Sequence, residues 1–246
     1  MIPKVIHYCW FGGNPLPELA IKCIQSWKRF LPDFEIIEWN ESNFDVHMIP
    51  YTSEAYKVKK YAFVSDYARF WILHKYGGIY FDVDVEVIKP LESILACGSF
   101  LGTEGEADND PLKLNVNPGL GFAAYPSQPF LGEMLEIYSH LHFVNPDGTY
   151  NTKTVVHYTT ELLCKYGLKG IYDIQSCADF QIYPREYFSP KNAVTREVVL
   201  TDNTYTIHHY DGSWLSKSIR RRQRIKEILG PKVVSFVQAF RGKLKV

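Results

Sequence analysis

The sequence predicts an α/β fold on a mainly parallel sheet, and three observations carry that prediction. Apolar runs of strand length alternate with amphipathic helical patterns, the connections between them are short, and 246 residues with 46% hydrophobic side chains suffice for one large core.

Residues 4–10, KVIHYCW, are rich in β-branched and aromatic side chains and stop at Gly12 and Gly13, which predicts a buried first strand. From Pro17 to Phe30 the apolar residues Ala20, Ile21, Ile24 and Trp27 recur at helical spacing, with Pro32 beyond as a stop. FEIIEW, residues 34–39, returns as a second strand and completes a β-α-β rhythm. Residues 61–78, YAFVSDYARFWILHKYGG, predict a long helix that sets Ala62, Phe63, Phe70, Ile72 and Leu73 among polar residues. It closes at Gly77, where a left-handed cap costs no steric strain. IYFDVDVEVI, residues 79–88, comes next as a strand interrupted only by its acids. Later strands are expected near 99–102, 119–124, 171–174 and 204–209, and helices near 127–141, 154–165 and 215–229. These elements group into one domain over 1–214 and a basic amphipathic segment over 215–246.

Formal charge balances at 27 basic and 27 acidic residues, so bulk charge points to no polyanionic partner. The distribution is uneven: residues 217–246 hold ten Lys or Arg against Glu227 alone, a tail of +9 on a body of −9. Five cysteines (Cys9, Cys23, Cys97, Cys164 and Cys177) form an odd set without CxxC spacing, which argues against zinc or disulfide frameworks and for a reducing compartment. The opening MIPKVIHYCWFGG has no charged region followed by a long apolar run, and no stretch approaches 18 uninterrupted apolar residues. The expectation is a soluble, cytoplasmic protein.

Asp82 and Asp84 are the anomaly within the strand pattern. Residues two apart on a strand face the same side, so both carboxylates are expected to project together, with Val83 and Val85 opposite. Two carboxylates held side by side repel, and either one takes up a proton or a cation sits beside them. Mn²⁺ and Mg²⁺ prefer oxygen donors and keep positions open for phosphates, the chemistry of a nucleotide-diphosphate site. A bare D-x-D is more often a pair of solvated acids, and the chain contains such a control: Asp108 and Asp110 lie in the polar run EGEADND, expected to be a loop.

The flanking residues separate the two cases. SDYARFWILHKYGGIYFDVD, residues 65–84, resembles the sugar-binding region shared by glycosyltransferase family 32, the Och1-type mannosyltransferases and the glucosyltransferase domains of the large clostridial toxins. IPKVIHYCWFGG at 2–13 looks like the family's first strand and IHHYDGSW at 207–214 like its C-terminal motif, while the middle third matches loosely. The chain most resembles short bacterial members linked to capsule or surface polysaccharide synthesis.

The resemblance implies a GT-A type fold, a divalent metal (Mn²⁺ or Mg²⁺), a nucleotide-sugar donor, UDP-linked before GDP-linked, a glycan acceptor, and retention of anomeric configuration. It also implies roles by position. Trp10 would stack on the uracil, although a core Trp reads equally simply. Asp66 and Arg69, one turn apart on the helix, would reach the donor's hydroxyls and phosphates, unless they are a surface i,i+3 pair. Tyr80 would touch the ribose or phosphates, or simply pack in its strand; Asp82 would hold the ribose and approach the metal, and Asp84 would bind it. Asn117, in LNVNPGLGFAAYP, is the candidate contact to the donor sugar, with a turn over Asn117, Pro118 and Gly119 as the alternative. Ser213 and Trp214 would close over the pyrophosphate.

Neighbours in a strand face opposite ways, so His208 and His209 cannot both point at the metal. The HYDGSW pattern favours His209 as third ligand. His7, His47, His74, His140 and His142 show no ligand spacing. The family's Gly-Pro pair before the late helix is absent from TVVHYTTELL, and no acceptor-side base can be located; the departing phosphate would take the acceptor's proton.

The tail interleaves basic residues with Ile219, Ile225, Ile228, Leu229, Val233, Val234, Phe236, Val237 and Phe240. That pattern suits the cytoplasmic face of an anionic membrane, or a helix packed on its own domain; no nucleic-acid recognition motif accompanies it. Two rival functions remain: a metal-dependent phosphoesterase, which wants a second metal cluster, and a non-catalytic sugar-nucleotide-binding scaffold.

Overall fold

The computed structural model describes residues 1–106, 108–192 and 195–212. In chain order the elements are β1 (Val5–Cys9), α1 (Glu18–Phe30), β2 (Glu35–Trp39), α2 (Pro50–Lys57), α3 (Tyr61–Tyr76), β3 (Gly78–Tyr80), β4 (Val85–Val87), α4 (Glu92–Leu95) and β5 (Phe100–Thr103). They continue with β6 (Val116–Asn117), β7 (Phe122–Ala124), α5 (Pro129–Ser139), α6 (Val155–Lys165), β8 (Gln175–Cys177), β9 (Phe180–Tyr183), α7 (Arg185–Phe188) and β10 (Thr206–His208). The expected helix over 215–229 and the separate segment over 215–246 lie outside the described residues.

The main sheet runs in the order β2-β1-β3-β7-β5-β9-β8, with β6 pairing β5 beyond the point where β7 does. The parallel pairing that the β-α-β rhythm predicts holds across β2-β1-β3 and again between β5 and β9, whereas β7, β6 and β8 join antiparallel. Successive strand residues feed opposite layers, as the pleat requires. Ile6, Ile79 and Ala123 enter one core with Trp27, Phe81 and Phe188, while Tyr80, Phe122 and Ala124 enter the other with Phe70, Phe130 and Tyr138. Each fully buried Phe contributes about 1.5–3 kcal/mol relative to exposure.

Two helices fix the site end of the sheet. Glu18 opens α1 and Lys28 and Arg29 close it, charges that complement the helix dipole. Its inner face buries Ala20, Cys23 and Trp27, and the Trp27 indole donates to the Val85 carbonyl at 2.7 Å, tying the helix to β4. Helix α3 is buried over much of its circumference, Asp66 and Arg69 included, so it runs through the molecule rather than over its surface. Gly77 ends it at φ +63°, its N–H donating to the Leu73 carbonyl at 2.8 Å. The adjoining Gly78 is equally constrained: a Cβ there would sit 2.6 Å from the Val5 carbonyl oxygen of the neighbouring strand.

Two expectations are corrected. Residues 79–88 are not one strand: β3 ends at Tyr80, the chain turns through Val83 and Asp84, and β4 pairs with β10 in a separate two-stranded ribbon. The strand expected at 171–174 instead forms at Gln175–Cys177, antiparallel to β9.

Candidate active site

Parallel strands β1 and β3 both end at the same edge, and Trp10 and Asp82, just beyond their carboxyl ends, line one cavity of about 680 Å³. A crevice beyond the carboxyl ends of parallel strands is where open α/β sheets bind ligands. Asp66, Arg69, Tyr80, Asp84, Asn117 and His208 line the same cavity.

The acids reach it by a crossing from one sheet to the other. Phe81 still donates to the His7 carbonyl at 3.1 Å, Asp82 donates to the Gly119 carbonyl at 3.0 Å, and a turn closes from Val85 N–H to the Asp82 carbonyl at 3.1 Å. The carboxylates converge because the chain bends there, not because a strand alternates. Gly119 permits the approach: a Cβ on it would lie 2.0 Å from Asp82 Oδ2.

The third member is His208. Its register partner in the ribbon is Val85, which sets the imidazole beside Asp84, Nε2 to Oδ1 3.4 Å. Asp82, Asp84 and His208 each offer a ligand atom, all within 4.8 Å of one another. His209 is therefore corrected as the third residue. Being one position on, it faces away from the acid pair and its Nε2 is 2.8 Å from Glu86, while its backbone N–H donates to the Asp84 carbonyl at 2.9 Å.

Burial alone would raise the Asp84 pKa, but the charge and hydrogen bond of His208 and the Asp211 N–H, 2.8 Å from Oδ2, outweigh it and bring it down to about 2. Burial would lower the pKa of His208, and Asp84 raises it instead. His208 Nδ1 is buried without a hydrogen-bond partner among the described residues.

Asp66 and Arg69 are not a surface pair. They are 8% and 3% exposed, and Arg69 Nη2 bridges Asp66 Oδ1 at 3.0 Å and Asp82 Oδ1 at 3.3 Å. Its guanidinium carbon lies 4.8 Å from the Tyr80 ring centroid, and the Tyr80 hydroxyl donates to Asp82 at 3.3 Å. Burial pushes the Asp66 carboxyl up to about 7 against the pull of Arg69. Arg69 Nη1 is left buried and unpartnered among the described residues.

Trp10 is half-buried, packed against the core and open to the cavity, its indole N–H held by the Asn14 carbonyl at 2.6 Å. Asn117 serves both of its readings: its Oδ1 accepts the Gly119 N–H at 2.7 Å, closing the turn, and its Nδ2 donates to Glu104 at 2.8 Å on the cavity wall. Ser213 and Trp214 lie outside the described residues. The control acids are loop residues: Asp108 pairs with Lys113, and Asp110 caps the 3-10 turn at Pro111–Leu114 through the Leu112 N–H at 3.0 Å. Sequence reasoning missed Glu104 and Tyr210, whose placing depends on contacts far along the chain, and read Gly119 only as part of a turn beside Asn117.

Residues 17–101, which carry α1, α3 and both site acids, match the family model described as "Glycosyltransferase sugar-binding region containing DXD motif". The match covers about a third of the chain, the part that holds both site acids. Similar curated proteins include inositol phosphoceramide mannosyltransferase 1 of Schizosaccharomyces pombe, 30% identical over 58% of this chain and 45% of the relative. Mannosyl phosphorylinositol ceramide synthase CSH1 of Saccharomyces cerevisiae is 30% identical over 41% of this chain and 28% of its own length. The chain thus spans less than half the length of these relatives.

Among solved structures, the PaToxG glycosyltransferase matches with a TM-score of 0.51 at 18% identity, over 67% of this chain and 69% of that one. A glycosyltransferase involved in glycosylation of the major capsid of PBCV-1 matches with a TM-score of 0.50 at 12% identity, over 92% of this chain and 100% of that one. These are likenesses of fold, and the matched segment sits in a fold of GT-A type.

Proposed function

We propose that this chain is a metal-dependent, retaining glycosyltransferase that moves a hexosyl group from a nucleotide sugar, a UDP-sugar in the first reading, to a saccharide or lipid-linked saccharide acceptor. One observation carries the reading: Asp82, Asp84 and His208 converge in the cavity that also holds the buried Asp66–Arg69 pair. Two carboxylates and an imidazole are a donor set suited to Mn²⁺ or Mg²⁺, and the unpartnered His208 Nδ1 and Arg69 Nη1 fit a site that a ligand completes.

Asp82, Asp84 and His208 would hold the cation, which when bound neutralises charge building on a pyrophosphate leaving group. The protein's own residues do the rest. Arg69, fixed by two carboxylates through Nη2, lines the cavity and keeps Nη1 unpartnered among the described residues, a donor for a phosphate or sugar hydroxyl. Trp10 offers a flat face to the base, and Asn117, locked by Glu104 and Gly119, lies where it can meet the sugar.

The curated relatives support a second reading of the substrates. Both are named for mannosyl transfer to an inositol-phosphate ceramide, which favours mannose as the sugar and a lipid-borne acceptor. A lipid-borne acceptor also suits the +9 tail, which would hold the protein at the cytoplasmic face of an anionic membrane where surface polysaccharides are assembled. Among the described residues no helix is long and apolar enough to cross a membrane.

The test is a mass-spectrometric screen of UDP- and GDP-sugars with Mn²⁺. Metal-dependent hydrolysis of one donor, abolished in Asp84→Ala, supports the transferase. Nucleotide binding without turnover in the presence of candidate glycan and lipid acceptors would make the chain a binding protein instead.

A further inference from the structure

Glu104 is a carboxylate on the cavity wall, one of whose oxygens the metal and donor residues leave unused among the described residues. It stands directly after β5, half-buried on the cavity wall, and is not a member of the Asp82, Asp84 and His208 group. One of its oxygens, Oε2, accepts from Asn117 Nδ2 at 2.8 Å and from the Tyr210 hydroxyl at 3.3 Å. Among the described residues neither Lys nor Arg pairs with it, and Oε1 has no hydrogen-bond partner. Two neutral donors thus hold one end of an anion and leave the other end free in the cavity.

The support behind those donors is extensive. The Tyr210 hydroxyl, which spends its proton on Glu104, accepts in turn from Ser189 Oγ at 2.7 Å, and its ring lies 4.1 Å from that of His208. Tyr210 takes φ +53°, a conformation that a bulky side chain adopts rarely and at some strain. On the other side, Asn117 fixes the Gly119 N–H at 2.7 Å, and the Gly119 carbonyl receives the Asp82 N–H at 3.0 Å. Glu104 is therefore anchored to the acid cluster by two independent routes. A carboxylate that meets no Lys or Arg among the described residues, held rigidly in a ligand cavity, has the geometry of a proton acceptor.

We propose that Glu104, in place of the departing phosphate expected from the sequence, is the acceptor-side base, an assignment that rests on the transferase reading. The attacking hydroxyl, approaching from the face that the phosphate leaves so that configuration is retained, gives its proton to Glu104 Oε1 as its oxygen forms the new bond to the anomeric carbon. The bond from that carbon to the phosphate oxygen breaks, and the electron pair leaves with the nucleoside diphosphate. Glu104 then returns the proton to water.

The experiment uses the full chain, Mn²⁺, and whichever UDP- or GDP-sugar the wild-type protein hydrolyses, with water as the acceptor. Glu104→Gln, which keeps shape but not basicity, is expected to lower the hydrolysis rate by about 10²-fold or more, with Mn²⁺-dependent nucleotide affinity unchanged. Glu104→Ala is expected to regain part of its rate with added formate, which a merely structural loss of the Asn117 and Tyr210 contacts would not allow. Hydrolysis by Glu104→Gln within about threefold of wild type, or failure of formate to restore Glu104→Ala, overturns the assignment while leaving the transferase reading intact. A wild-type protein that hydrolyses none of the donors overturns both.

Discussion

Asp84 and His208, 124 positions apart in the chain, face each other at 3.4 Å because β4 and β10 pair antiparallel with His208 in register with Val85. This ribbon brings two of the three candidate ligands together, and Asp82 joins them from the end of β3. His208→Ala is expected to weaken Mn²⁺-dependent UDP binding by about tenfold or more, the usual scale for loss of a ligand or its close support. His209→Ala, whose ring meets Glu86 instead, should leave that affinity within about threefold. Isothermal titration of both variants checks the pair.

Gly119 is a steric requirement of the site. A methyl group there would lie 2.0 Å from Asp82 Oδ2 and 3.0 Å from Asn117 Oδ1. Gly119→Ala is expected to displace the Asp82 carboxylate and reduce Mn²⁺-dependent nucleotide binding by about tenfold or more. Circular dichroism should remain that of a folded protein, since the nearest atoms are cavity side chains rather than core.

The Asp66–Arg69 pair is buried and Arg69 also meets Asp82, so removing the guanidinium takes their shared partner from two carboxylates. Arg69→Ala is expected to lower stability to urea by about 3–5 kcal/mol, and the double variant Asp66→Asn, Arg69→Met to recover part of that loss. A double variant no more stable than Arg69→Ala would mean the pair is not what the site's stability rests on.

Much of this was legible in the sequence, for reasons that also explain the misses. Strand β1, helix α1, strand β2 and helix α3 announce themselves by local period and by stops at Pro32 and Gly77, and each lies within a residue or two of its expected span. The break at 81–84 was hidden because alternating apolar and acidic residues look alike in a continuous strand and in a crossing between sheets. Choosing between His208 and His209 required the register with β4, which is set more than a hundred residues away. Strand β8 was missed because Gln175 and Ser176 carry little strand propensity, while Ile171, Tyr172 and Ile174, which do, remain exposed. Helix α2 carried a usable signal, Pro50 at its first turn.

His7 gives a pH signature independent of the site. Its Nε2 is 3.0 Å from the Gly77 carbonyl and its Nδ1 accepts from the Trp39 indole at 3.1 Å, so the network accommodates the neutral ring alone. Burial pulls its pKa from the ordinary 6.5 down to about 4, despite the opposing Gly77 hydrogen bond. The folded-state value being depressed, the unfolded chain binds the extra proton first. Stability from this group is complete above pH 6.5 and is lost as pH falls toward 4, by about 3 kcal/mol over the window. Urea unfolding across that range, wild type against His7→Gln in metal-free buffer, should show the steeper loss in the wild type.

The most direct measurement is anomalous diffraction at the manganese edge from crystals soaked with Mn²⁺ and UDP. A single strong peak between Asp82, Asp84 and His208, with the diphosphate beside Arg69 and the base against Trp10, is the expected result. Nucleotide bound elsewhere, or bound in this cavity with no metal at the two aspartates, would contradict the account.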